Sequence, residues 1–336
     1  MVGLTERHLV KLLGQRFRTT SDAVRLGIGD DAAVVALEEG ACVASVDASV
    51  EGVHFERGLL TFEDVGYRAF QAAVSDLAAM GATPVAALSA LILPRDITSG
   101  DVDELTRGQA SASLASDCPI VGGNISRGAE LSVTTTVLGR SNQPLCRSGA
   151  RAGEQLWVVG SLGLAAAGLA CLRSSAARFM RPGPLGLAAA RAVSSEGQRR
   201  AVERCVRAWR RPEALLARGR QLVGIASAVI DVSDGLAADA WQLARASGVR
   251  LVIERARLRA ALDQELLGAS RALKRSALHF ALYGGEDYAL LVTGPSCRRP
   301  PWANVIGHVT RGAGAMLAAH GTLTPLGRGY DHLVRP

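Results

Sequence analysis

Lysine is almost missing from this chain of 336 residues: of its 38 basic side chains only Lys11 and Lys274 are lysines, and arginine supplies the rest. That scarcity makes a lysine-based phosphate clamp unavailable. Neither a GxxxxGK[ST] run, nor a kinase glycine-rich loop with its lysine, nor a GxSxG elbow occurs. Aromatic residues are scarce at 4%, which argues against a stacking platform for single-stranded nucleic acid and leaves the core to Ala, Leu and Val. The six cysteines (42, 118, 146, 171, 205 and 297) form no CxxC pair and no metal-ligand spacing with histidine. They read as small hydrophobes in a reducing cytosol. From Thr5 onward the N-terminus lacks the apolar run of a signal peptide. The longest apolar stretch, 77–94, follows Asp76 and is interrupted by Gly81 and Pro84, so a membrane helix is rejected.

The length is enough for a sizeable core and favours two domains. The net charge of +7 is nearly all arginine and reads as genomic base composition rather than a binding adaptation. One local excess stands out, with twelve arginines against three glutamates in residues 171–220. Arg200, Arg204, Arg207 and Arg211 recur at helical spacing and share one face. The reading is a solvated face, with a phosphate-attracting or partner surface as the alternative.

Periodicity predicts a short amphipathic helix over 4–17, strands at 32–37 and 41–47, a helix at 62–80 and a strand at 85–93. A helix at 100–116 and a strand at 130–139 follow. The periodicity breaks near 141–153, giving an N-terminal domain at 1–145 and a C-terminal domain at 146–336. The second half reads as strand 155–159, a helical Arg-rich block at 186–220, strand 227–232, helix 234–247, and strands 249–253 and 287–293. The tail 296–336 is Gly/Pro-rich and was given no elements. Mixed strands and helices in two lobes favour an α/β or α+β architecture.

The chemistry lies in five acidic stretches set against apolar flanks. They are GIGDD at 27–31, SVD at 45–47, SDLAAMG at 75–81, DVSDG at 231–235 and GGEDY at 284–288. Carboxylates among apolar residues are costly unless something positive pairs with them. With no lysine nearby, the economical partner is a hard divalent cation, Mg²⁺ carrying a nucleotide phosphate. Asp31 and Asp47 would lie close together if their two strands pair. Asp76 is the only charge between Arg68 and Arg95. Asp234 is placed like a helix N-cap, whereas capping does not explain Asp231. Gly122-Gly123-Asn124 would let backbone amides approach a phosphate, although a lone Gly-Gly is weak. Many carboxylates with no obvious nucleophile or base fit phosphoryl transfer, which is served by metals and positioning.

Seven separated motifs, GIGDDAAV, SVDASVEGVHF, SDLAAMGA, GGNISRG, RSGARAGE, DVSDGL and GGEDYAL, together resemble the thiamine-monophosphate kinase family. That family is a branch of the aminoimidazole ribonucleotide synthetase-like superfamily. The resemblance runs from Gly27 to the GYDHL at 329–333. It implies a two-lobed fold, with an N-terminal α/β domain that binds ATP and Mg²⁺ and mediates dimerisation, and a C-terminal α+β domain. The implied activity is direct in-line transfer of the γ-phosphoryl of ATP to thiamine monophosphate, giving thiamine diphosphate. The attacking phosphate oxygen is already ionised, so no general base is required.

Position by position, the resemblance implies several Mg²⁺ ions held by Asp31, Ser45, Val46, Asp47, Asp76, Asn124, Asp231 and Asp234, with Asp47 and Asp231 as the catalytic pair. It implies ATP contacts from Gly123, Asn124, Arg147 and Ser233. His54, Glu286 and Tyr330 match positions that hold thiamine monophosphate. Read alone, His54 is an ordinary structural histidine and Tyr330 a tail residue packed on the core. Three departures stand out. Asn124 replaces the usual aspartate, Val46 replaces a threonine while keeping its backbone carbonyl, and Ala73 replaces an asparagine. The implied setting is a cytoplasmic homodimer that uses no nucleic acid or membrane partner.

Within the superfamily, selenophosphate synthetase calls for a reactive Cys or Sec near the N-terminus, whereas the first cysteine is Cys42. The hydrogenase-maturation relative ends in cysteine, and this chain ends Val334-Arg335-Pro336. A non-catalytic nucleotide-binding regulator is the reading from another class.

Overall fold

A computed structural model describes residues 13–17, 24–26, 34–35, 40–176 and 196–327. The predicted sites Asp31 and Tyr330 lie outside these residues, as does the whole of GIGDD at 27–31. The chain divides into two compact units, Met1–Leu77 with Ala82–Asn142 and Ala78–Gly81 with Gln143–Pro336.

In the first unit a short ladder joins β1 (Val24–Leu26) to β2 (Val34–Val35). The main sheet contains β3 (Ala41–Val50), β4 (Thr83–Leu93), β5 (Ile120–Arg127) and β6 (Ser132–Ser141), in the order β3-β6-β4-β5. Among the described residues the predicted strands at 32–37 and 41–47 are therefore not paired with each other. β2 takes β1, and β3 takes the distant β6, whose alternating Thr and Val residues suit a central strand with one face covered.

Helices α1 (Phe62–Ala79) and α2 (Ser99–Ala115) cover one face of this sheet. Odd-numbered strand positions such as Val43, Val85, Leu91, Val133 and Val137 are buried there. The even-numbered face is open, with Val46 63% exposed and Leu88 and Ile92 each 38% exposed. Period-two alternation sorts these faces. A capping box starts α2: Thr98 Oγ1 accepts from the Asp101 amide, and the Asp101 carboxylate accepts from the Thr98 amide at 2.8 Å.

The second unit is built on a seven-stranded sheet in the order β13-β12-β9-β11-β7-β10-β8. Its strands are β7 (Gln155–Val159), β8 (Ala228–Val232), β9 (Arg250–Glu254), β10 (Ala289–Gly294), β11 (Asn304–Thr310), β12 (Gly314–Ala319) and β13 (Thr322–Pro325). Pairing is antiparallel except between β9 and β12. The tail left unassigned by sequence thus contributes three strands. The described helices are α3 (Leu164–Ala176), α4 (Glu196–Arg210), α5 (Leu216–Leu222), α6 (Leu236–Ser247), α7 (Arg255–Ala260), α8 (Gln264–Leu273) and α9 (Ala277–Tyr283). Four of these, α3, α7, α8 and α9, have no counterpart among the elements predicted from sequence.

The cysteine reading needs correction. Cys118, Cys171 and Cys205 are buried, and loss of hydration pushes the first two thiols up to about 12, but Cys42, Cys146 and Cys297 are exposed. All six are free thiols. Among the described residues no helix is long and apolar enough to cross a membrane.

Candidate active site

In the first unit the geometry begins at an edge strand. Ser45 and Asp47 sit two residues apart on β3, on the face covered by α1. From that helix Asp76 reaches back, and its Oδ2 accepts a hydrogen bond from Ser45 Oγ. Asp76 is half-buried among residues that are almost fully enclosed, such as Val74, Leu77 and Ala78. Its placement follows from helix periodicity, because the positions around it form the core stripe while it lies at the stripe's margin.

A row of register partners crosses the sheet from Asp47 through Thr135 and Ser89 to Gly123. A side chain at Gly123 would put its Cβ 1.8 Å from the Ser89 carbonyl oxygen, so only glycine lets β5 come so close to β4. The Ser89 side chain is on the covered face, where its Oγ accepts from Gln109 Nε2 of α2 at 2.8 Å. Asn124, in register with Ala90, therefore belongs to the open face. Asp47 and Asn124 stand on the two outer strands and on opposite faces, about 14 Å apart along the sheet at three strand spacings. One ion is not shared between them within a single sheet.

Beyond β3, the Val50 amide donates to Nδ1 of His54 at 3.1 Å, which puts the ring proton on Nε2. Local backbone contact thus orients His54. Val46 is the exposed residue between Ser45 and Asp47.

The acidic end of β8 organises the second unit. Asp231 is only 3% exposed, within a strand whose five residues are all buried. The next turn carries Ser233 and Asp234 into α6. Here the capping expectation fails: Gly235 is the N-cap, and no side chain caps that helix. The bond runs the other way. Asp239, 1% exposed in the first turn of α6, accepts the Asp234 amide on Oδ2 at 3.2 Å. Burial first, then the charges of Asp231 and Asp234, push the Asp239 carboxyl up to about 8. Gln242 donates to Asp239 Oδ1 at 3.4 Å, and Arg147 Nη1 donates to Gln242 Oε1 at 2.9 Å. The predicted ATP contact Arg147 is thereby tied to the predicted metal ligand Asp234.

Sequence reasoning missed Asp239. The signal was present: it is a lone carboxylate in the apolar run Leu236–Ala240, the same feature that singled out Asp76.

The GGEDY segment folds against this strand end. The Glu286 amide donates to the Ser233 carbonyl at 2.7 Å, and that of Tyr288 to Val232 at 2.9 Å. Gly285 has φ +73, and a Cβ there would lie 2.6 Å from the Ser233 carbonyl oxygen. Glu286 and Tyr288 are left-handed as well, with φ of 58° and 50°. Such conformations cost about 1 kcal/mol or more each and cluster where side chains must be aimed. Glu286 Oε2 accepts from the Trp209 indole at 2.8 Å. Asp287 turns inward, where its oxygens accept the Gly163 and Ala165 amides at 2.5 and 3.2 Å. Loss of hydration still pushes its carboxyl up to about 7.

Among the described residues no group of three or more His, Cys, Asp and Glu forms a ready-made metal cage. A nucleotide-borne Mg²⁺ needs less, since it is held by one or two carboxylates together with phosphates and water. The donor set fits such an ion. It is all oxygen, and a cation beside Asp231 and Asp234 would relieve the repulsion that, after burial, raises Asp239.

The comparisons with known proteins agree over nearly the whole chain. Residues 29–141 match the family model described as AIR synthase related protein, N-terminal domain. A thiamine-monophosphate kinase of Aquifex aeolicus is 33% identical over 292 residues, covering 86% of this chain and 88% of that protein. The enzyme of the same name from Escherichia coli K12 is 34% identical over 317 residues, covering 90% and 87%. Among solved structures, AaThiL complexed with AMPPCP and TMP superposes with a TM-score of 0.74 at 30% identity, over 96% of this chain and 97% of that one.

Proposed function

The chain belongs to the thiamine-monophosphate kinase family, and from that premise we propose that it works as a Mg²⁺-dependent homodimer of the cytoplasm. Its reaction is the transfer of the γ-phosphoryl of ATP to thiamine monophosphate, giving thiamine diphosphate and ADP. The observation that carries the Mg²⁺ reading is the buried acidic end of β8, where Asp231, Asp234 and Asp239 crowd together around the turn into α6.

The attacking group is a phosphate oxygen that is ionised at neutral pH, so the protein needs to place it and not to deprotonate it. In this reading Asp47, Asp76, Ser45 and the Val46 carbonyl serve as Mg²⁺ ligands of the first unit, an ATP-binding and dimerisation domain, with Asn124 on the far strand. Asp231 and Asp234 serve in the second. Mg²⁺, when bound, neutralises the charge that develops along the triphosphate. Asp239 fixes the strand-to-helix turn by accepting the Asp234 amide. Arg147, tethered by Gln242, has further guanidinium N–H groups to offer a phosphate, with Ser233 as a polar group in the same unit and Gly123 as an ATP contact of the first unit. His54 and Glu286 take thiamine monophosphate, and Asp31 and Tyr330 join the metal and substrate groups respectively.

Homodimerisation is supported by the open face of the first unit's sheet. Val46, Leu88 and Ile92 leave an apolar surface there whose burial by a second copy would be favourable. The free state of all six cysteines agrees with a reducing compartment.

The test is chromatographic detection of thiamine diphosphate formed in step with ADP from thiamine monophosphate, ATP and Mg²⁺. ATP consumption that is indifferent to thiamine monophosphate would refute the reading.

A further inference from the structure

We propose that Trp209 is a positioning residue for substrate selection, whose indole N–H holds the Glu286 carboxylate in the orientation that accepts the amino group of the thiamine pyrimidine. This rests on Glu286 being a substrate residue.

Trp209 closes the buried stripe of α4. Ala201, Val202, Cys205, Val206 and Trp209 follow one another at three- and four-residue spacing and face inward, while the arginines between them face out. The ring is 2% exposed, and its only polar atom points at Glu286. A buried indole N–H requires an acceptor, and a charged acceptor makes the stronger bond. Trp209 is also a large anchor with only two side-chain torsions, so it fixes its partner at small entropic cost.

The other end of the contact is fixed just as firmly. The backbone of Glu286 is held left-handed by its amide bond to Ser233, directly after the obligatory turn at Gly285. The glutamate side chain has torsions of its own, and ordering them on substrate binding costs rotamer entropy. The indole bond removes that freedom before substrate arrives, which is preorganisation. A cavity of about 140 Å³ lies on the same stretch, lined among others by Ser161, Arg204, Arg211 and Asp287, the residue after Glu286. Arg211 and, at the rim, the exposed Arg204 thus border a concave space, which gives part of the Arg-rich block a setting the sequence left open.

The chemistry gives the contact a direction. An ionised carboxylate only accepts hydrogen bonds, and its two oxygens offer about four lone-pair sites. An exocyclic amine satisfies it; a keto oxygen at the same ring position repels it. A site built around a fixed acceptor discriminates more sharply than one built around a mobile acceptor.

The experiment compares Trp209→Phe, Glu286→Gln and the double variant, using thiamine monophosphate and its 4-oxo analogue, oxythiamine monophosphate. Trp209→Phe keeps the buried ring and deletes the donor. It should raise KM for thiamine monophosphate about tenfold, the scale of one hydrogen bond to a charged group, while kcat and KM for ATP stay within about twofold. Preference for the amino over the oxo substrate should narrow by a similar factor, a change that loosened packing alone would not produce. In the Glu286→Gln background the tryptophan change should add nothing. If Glu286→Gln raises KM but Trp209→Phe alters neither KM nor the preference, the positioning role is overturned and the glutamate assignment survives. If Glu286→Gln itself leaves KM unchanged, the substrate assignment falls and this inference falls with it.

Discussion

Ser45 on an outer strand donates a hydroxyl hydrogen bond to the Asp76 carboxylate on the helix that covers it. The bond joins two short motifs 31 residues apart and aims the one carboxylate in the apolar last turns of that helix. Asp47, two residues farther along β3, lies on the same face. In the proposed reading that bond holds Asp76 as an oxygen ligand for Mg²⁺.

Asp76→Asn should therefore lower kcat by about a hundredfold or more, the scale seen when one charge-stabilising group is removed, with little change in melting temperature. Ser45→Ala should give a smaller loss that higher Mg²⁺ partly restores. Steady-state kinetics across a Mg²⁺ titration, with thermal melts as the folding control, decides the matter. A variant that melts early and recovers full kcat when cooled would mean the pair is structural only.

Asn124 offers an amide oxygen where the family pattern has a carboxylate, so its attraction for Mg²⁺ is weaker. Asn124→Asp should lower the Mg²⁺ concentration needed for half-maximal activity or leave it unchanged. A clear loss of turnover at every Mg²⁺ concentration would show that this site is adapted to the amide.

Asp239 supplies the acceptor for the Asp234 amide, and asparagine can still do so while alanine cannot. Asp239→Ala should destabilise the protein by about 1–3 kcal/mol, the cost of an unpaired buried amide, and raise KM for ATP. Asp239→Asn should keep most of both properties. Denaturant melts and ATP saturation curves test this, and equal damage from the two substitutions would contradict it.

Asp287 gives a signed pH dependence. Its carboxyl is pushed from the usual range up to about 7, by loss of hydration above all and then by the charges of Glu286 and Asp263. The folded protein therefore holds a proton there that the unfolded chain releases above about pH 4. Stability from this group is full below that pH and is lost as pH rises toward about 7. Melting temperatures between pH 4.5 and 8 should fall with pH more steeply in the wild type than in Asp287→Asn. Parallel curves would rule out the assignment.

Local structure is legible in the sequence. The helix ending before Gly81, the helix opening near Ser99 and the strand running to Leu93 all announce themselves through periodicity and punctuation. Long-range pairing was not legible. Among the described residues β3 pairs with the distant β6, and the tail strands depend on remote partners: β11 lies between β7 and β9, and β12 lies beside β9, some sixty residues away, with β13 on its other edge. The acidic motifs drew attention because carboxylates are conspicuous in apolar surroundings. Asp239 escaped notice because it sits within a helical pattern and acts through a backbone amide. Trp209 escaped because an aromatic on a basic helix looks like core until its N–H is seen to meet Glu286.

The central claim is that the aspartates hold the metal on which phosphoryl transfer depends. Turnover of Asp231→Asn at saturating Mg²⁺, measured as thiamine diphosphate formed per enzyme, tests it most directly. The account predicts a fall of about two orders of magnitude or more in a protein whose melting temperature is preserved. Near-normal turnover would contradict it.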